Sequence, residues 1–171
     1  MNVWKNRLLY GGIAGAVLLA YNVALQIMGV QFGSGTMGFL NVILVTSIYV
    51  FAMVKGIKRY SNDHLEGYIS YNQGFKHGFF IYLIAAFING LRDWVNVSFL
   101  NGKQVMLDAY DEVLEGFYDT VGSETYDMVM NMLETMLSPV PYLIIIIVNV
   151  ALTALIVALI VAVFTKKEKP F

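Results

Sequence analysis

Hydrophobic positions along this chain come in two patterns. Four runs, 8–30, 38–54, 78–100 and 139–164, are apolar around the whole circumference of a helix, and one stretch, 104–137, is apolar on one side only. The hydrocarbon core of a bilayer is about 30 Å thick, so about 20 helical residues at 1.5 Å rise each are needed to cross it. The four runs therefore predict four membrane-spanning helices. The second is short and has to borrow residues at one end. The third is free of charge only over 78–91, which covers about 20 Å, so its helix must continue through Arg92 and Asp93. "SYNQ", residues 70–73, has the form of a capping box, in which Ser70 and Gln73 satisfy each other's backbone N–H groups. It starts the third helix early and sets the third span at 71–100.

The one-sided stretch predicts two amphipathic helices. Met106, Tyr110, Val113, Leu114, Phe117 and Val121 recur at helical spacing over 104–121, and Tyr126, Val129, Met130, Leu133 and Leu137 do so over 124–137. Gly122 is placed to end the first helix and Ser123 to cap the second. Pro139 falls at the first position of the last span, where its missing N–H costs nothing. The expectation is an all-α fold, one membrane domain over 1–171: a four-helix transmembrane bundle with a helical hairpin at 104–137 between spans three and four.

Composition agrees: 58% of residues are hydrophobic, 13% are charged and the mean hydropathy is +0.64, against about 25% charged in an average soluble domain. Lys5 and Arg7 before the first run resemble the basic start of a secretory signal. The run is too long for such a signal, however, and its Ala14-Gly15-Ala16 triplet comes too early for cleavage, so it reads as a retained span. The net charge of −1 is uninformative, but its distribution is not. Lys5, Arg7, Lys55, Lys58, Arg59, Lys76, Lys166, Lys167 and Lys169 all flank the spans on one side, whereas the opposite flanks carry Lys103 alone. By the positive-inside rule both termini are cytoplasmic. The 104–137 hairpin is then on the outer side. It is acidic, with Asp108, Asp111, Glu112, Glu115, Asp119, Glu124, Asp127 and Glu134.

Candidate chemistry is sparse. Asn89, Arg92, Asp93 and Asn96 share one face of the third helix, and the other spans contribute Asn22 with Gln26, Asn41 and Asn149. The orientation puts all of them in the outer half of the membrane, as a polar belt that pairs internally and fixes helix register, or that lines an outward-facing cavity. Gly11/Gly15 and Gly74/Gly78 are G-x-x-x-G pairs suited to close helix packing within the bundle. Met128, Met132 and Met136 form a stripe that is a weak Cu(I) candidate, weak because methionine is also a common core filler. The formal G-x-G-x-x-G of Gly33, Gly35 and Gly38 follows a membrane helix rather than a strand and reads as a turn. The acidic stripe lacks calcium-loop spacing. His64 and His77 read as solvent-exposed residues of a polar loop. With no cysteine and no catalytic constellation, neither an enzyme nor a cofactor is expected.

The stretches "YGGIAGAV", "GYISYNQGFKHG", "MLETMLSP" and "KKEKPF", in that order and spacing, resemble the four-span membrane family catalogued as domain of unknown function 4199, found mostly in Bacteroidota. The resemblance covers nearly the whole chain. It implies an integral inner-membrane protein with an outer acidic helical insert, and it implies no activity. The leading expectation is a non-enzymatic accessory or interaction subunit of an envelope complex. The alternative is a small transporter, channel or lipid-binding protein that uses the outer-half cavity. Partners are then membrane lipids and a membrane protein or a second copy of the chain, with no nucleic acid. Reporter fusions within 58–66 and after Lys169 are expected to report cytoplasm, and fusions near Gly122 the outer side. A cytoplasmic signal at Gly122 would overturn the orientation.

Overall fold

The computed structural model describes residues 2–29, 36–117 and 122–167. These form six helices and no strand: α1 Val3–Ile27, α2 Thr36–His64, α3 Tyr71–Phe99, α4 Gly102–Glu115, α5 Ser123–Met136 and α6 Pro139–Thr165. Four of them, α1, α2, α3 and α6, are long and apolar enough to cross a membrane. The third does run through Arg92 and Asp93, as its length demanded.

The local chemistry explains most helix ends. Asn2 caps α1, its side chain accepting from the Trp4 N–H. The capping box forms at α3: Gln73 Oε1 accepts from the Ser70 N–H at 3.0 Å, and Ser70 Oγ from the Gln73 N–H at 3.4 Å. Pro139 opens α6. Three boundaries differ from expectation. The helix of the second span does not end near Val54 but continues to His64, because no proline interrupts "KGIKRYSNDH" and its charged turns extend beyond the apolar run. Helix α4 closes at Glu115, and Val121, assigned to it by periodicity, lies outside the described residues, as does Val30 at the end of the first run. Ser123 is not a cap but the first residue of α5; the cap position falls to Gly122, whose φ of +76° suits a residue without Cβ.

Packing divides the chain into two compact units, 1–89 with 150–171, and 90–149. In the first, α1, α2, the start of α3 and the end of α6 surround a core of Ala14, Leu18, Met53, Ile57, Ile81, Ala85, Ala154 and Ala158. Both glycine pairs work inside it. A Cβ on Gly11 would lie 2.8 Å from the Ile81 carbonyl oxygen, and one on Gly15 would lie 2.6 Å from Ile88 Cδ1. So α1 and α3 touch nearly backbone to backbone. Gly74 faces Ala162 and Thr165 of α6, while Gly78 faces Met53 and Ile57 of α2. The loop after α2 is tied to the chain beyond α6 by reciprocal backbone bonds between Ile69 and Lys167, at 2.8 and 2.9 Å.

In the second unit α4 and α5 close over Val97, Leu107 and Leu137, with Met106, Met130, Leu133 and Tyr142 against them. Here the sequence reading of α4 needs correction. Val113 and Phe117, expected to support the helix pair, are each 58% exposed, and Tyr110 is exposed too. The packed side is turned toward Met106, Leu107 and Asp111, because the Asp111 carboxylate accepts the Tyr126 hydroxyl of α5. That bond pushes the Tyr126 pKa up to about 12.

The α1–α3 contact is directly testable. Gly11→Ala forces a methyl against a carbonyl that cannot yield and is expected to destabilise the bundle by about 1–3 kcal/mol. Gly12→Ala, whose added Cβ meets nothing within 4 Å, is expected to be neutral in the same detergent-unfolding assay. Equal effects of the two changes would refute the close approach.

Candidate functional site

Within the first unit, the start of α1, the end of α2, the start of α3 and the end of α6 meet at one end of the bundle. Trp4 stacks edge-on against Phe80 at 5.3 Å, and Gly74 meets Thr165. The basic residues Lys5, Arg7, Lys58, Arg59, Lys76, Lys166 and Lys167 belong to these same helix ends. Charge clustering read from the sequence is thus clustering in space.

The most deeply buried polar group of the unit lies here. His77 is fully buried, which corrects its reading as a solvent-exposed loop residue; His64 is exposed as expected. His77 Nε2 lies 2.8 Å from Asn6 Oδ1, Arg7 Nε lies 3.4 Å from His77 Nδ1, and the imidazole stacks on Tyr60 at 4.4 Å and 10°. An arginine Nε always carries a proton, so Nδ1 accepts and Nε2–H donates to Asn6: the ring is held as one neutral tautomer. Asn6, 1% exposed, then turns its Nδ2 into a buried position with no hydrogen-bond partner among the described residues. The Arg7 guanidinium further lies over the rings of both Trp4 and Phe80, 4.9 and 4.6 Å from their centres. The cluster joins three helices and fixes one cation at the basic end. The loop 65–70 and Lys167 border an open cleft of about 450 Å³ beside it.

The cluster was missed because Lys76 and His77 follow a polar loop in the sequence. A usable signal was present. Once the capping box starts α3 at Tyr71, Gly74, His77, Gly78 and Ile81 fall at i, i+3, i+4 and i+7, one stripe that the glycines already point inward.

The expected polar belt resolves into separate local pairs. In the first unit Asn89, 7% exposed, donates to Ala85 O at 3.0 Å and Gly15 O at 3.3 Å and accepts from Asn22 at 3.3 Å. Asn41 accepts the Tyr21 hydroxyl at 2.9 Å, and Gln26 is exposed. In the second unit Arg92 Nη1 pairs with its neighbour Asp93 at 2.8 Å, Asn96 packs on Gly102 at the α3–α4 turn, and Asn149 is exposed. Trp94 Nε1 donates to the Pro139 carbonyl at 2.7 Å, tying the end of α3 to the start of α6. Met128, Met132 and Met136 form an exposed stripe on α5. Among the described residues no group of three or more His, Cys, Asp or Glu side chains is placed to hold a metal ion.

A helical chain with four apolar helices of spanning length, polar groups tied helix to helix and a basic cluster at one end is, by length and composition, a membrane protein. It belongs to the family described as Protein of unknown function (DUF4199), whose model matches residues 9–167. Neither the curated proteins nor the solved structures yield a match to the chain.

If the buried cluster locks the helices, His77→Leu strands both Asn6 and Arg7 and is expected to cost about 1–3 kcal/mol in detergent unfolding. Asn6→Leu strands only the imidazole N–H and is expected to cost less. The double variant is expected to be more stable than the sum of the single effects predicts; strict additivity would argue that the three residues are not coupled.

Proposed function

We propose that this protein is a non-enzymatic accessory or interaction subunit in the membrane, and that α4 and α5 are its docking element. One observation carries the reading: the apolar side chains that this helix pair does not bury. Val105, Tyr110, Val113, Phe117, Met128 and Met132 are all at least 43% exposed, on helices that also carry Asp108, Glu112, Glu115, Glu124 and Asp127. A face combining flexible methionines and aromatics with a rim of carboxylates suits a partner that offers an apolar ridge flanked by basic residues. Three of the polar groups inside the spans support the same reading, since Asn22, Asn41 and Asn89 are bonded within the chain. With the inner-membrane orientation inferred from charge, the partner is met on the outer side. Purification of the full chain in mild detergent, followed by mass spectrometry, is expected to recover a stoichiometric partner that Val113→Ser with Phe117→Ser loses. Retention of that partner by the double variant would sink the docking assignment.

A second reading, lipid binding, is favoured by a groove of about 740 Å³ between α1 and α2. It is lined by Tyr10, Ile13, Val17, Leu44, Ile48 and Phe51 among others, and among its described lining residues Lys55 alone is charged. The shape and polarity suit an acyl chain whose acidic headgroup meets the lysine. Acidic lipid that co-purifies with the wild type and is reduced by Ile48→Trp and Lys55→Gln would support it; lipid content unchanged in both variants would count against it.

A further inference from the structure

Helix α6 buries one side against its own bundle, through Ala154, Ala158, Val161 and Ala162. Its opposite side carries Ile145, Asn149, Leu152, Ile156, Leu159 and Val163. At 100° per residue the centre of this set lies about 25° from the line directly opposite that buried side, and all six fall within about 65° of it. All six are exposed. Their spacing alternates four, three, four, three, four, which is the heptad seam of a coiled coil. Asn149, Ile156 and Val163 take the a positions, and Ile145, Leu152 and Leu159 take the d positions. β-Branched residues at a with leucine at d favour two strands, and a single asparagine at a is the usual device for fixing register and strand number.

Asn149 is what demands a partner. It lies ten residues after Pro139, about 15 Å along the axis and so near the middle of a core about 30 Å thick. Its side-chain amide makes no hydrogen bond to any described residue. An amide on the outer side of a spanning helix faces hydrocarbon, which can neither donate nor accept. We propose that α6 pairs with α6 of a second copy of this chain, as a parallel two-stranded coil about a two-fold axis normal to the membrane. Every copy inserts with the same topology, so the two α6 helices run in the same direction and Asn149 meets its own mate at the same depth. The two amides are self-complementary: each donates one N–H to the other's Oδ1. A different partner protein would have to supply a matching polar group at that depth, whereas a second copy supplies it by symmetry. The surface is distinct from the face of α4 and α5, so the dimer and the docking element can fail independently.

The absence of native cysteine makes the test clean. Single cysteines are placed in the full chain in membranes at the seam, Leu152→Cys and Ile156→Cys, and at two flanking positions that are just as exposed, Ile144→Cys and Leu155→Cys. Oxidation is expected to give a disulfide dimer at the seam positions and little at the flanks. Asn149→Leu, which places a better membrane residue on the same helix, is expected to weaken dimerisation about fivefold or more, read by Förster transfer between labelled copies in vesicles, while Asn149→Gln retains most of it. Equal cross-linking at seam and flank, a cross-linked product that is not twice the chain mass, or dimerisation unchanged by Asn149→Leu would each overturn the proposal.

Discussion

The close approach of α1 to α3 is the contact on which the rest of the first unit depends. Lipid tails are as apolar as leucine side chains, so burial supplies no drive to bring two spanning helices together; contact area and hydrogen bonds must do it. Gly11 and Gly15 let α1 settle directly on the carbonyl side of α3 at Ile81 and Ala85. That short distance is what lets short side chains reach across. Asn6 meets His77 toward one end of the contact and Asn22 meets Asn89 toward the other, so the interface is tight in its middle and hydrogen-bonded at both sides. A wider separation would leave these amides and the imidazole in hydrocarbon without partners.

The spans were legible because the bilayer imposes one length and one composition on them, and no packing detail can override that. The capping box was legible because its chemistry is local: Ser70 and Gln73 bond within a single turn. The far end of α2 was not, because the apolar run stops near Val54 while the helix does not. Hydropathy measures where lipid ends, and helix propensity in "KGIKRYSNDH" is a separate property. On α4 the apolar positions were counted correctly but assigned to the wrong side. Met106, Tyr110, Val113 and Phe117 make one periodic stripe, whereas the packed side runs beside it through Leu107 and Asp111. The choice between them rests on a long-range bond, Tyr126 to Asp111, that periodicity cannot see.

The polar residues show the same division. Asn22, Asn41 and Asn89 were picked out because amides in spans are conspicuous, and each has a partner. Their pairing was not legible: one belt became several local bonds, because an asparagine reaches only its nearest neighbour. Arg92 and Asp93, the two full charges of the belt, sit side by side and form an ion pair with each other, with the arginine 24% and the aspartate 49% exposed. Meanwhile His77, dismissed with its loop, is the group around which three helices are arranged. Position relative to the helix start decided burial there, and residue type alone did not.

The bridge between Ile69 and Lys167 joins backbone separated by nearly a hundred residues. Lys167 follows the last span, so during synthesis it emerges after every other element that the bridge helps to hold. The first three spans are therefore in the bilayer, with α1 already able to rest on α3, before the strap at the basic end can close. Assembly has a built-in order: glycine contacts and buried amides form among early spans, and the late span is fastened at its end by two backbone bonds that depend on no particular side chain. Substitution at Lys167 leaves those bonds available, so sequence can drift on that side of the fastening, while Ile69 opposite it is held by its place in the core.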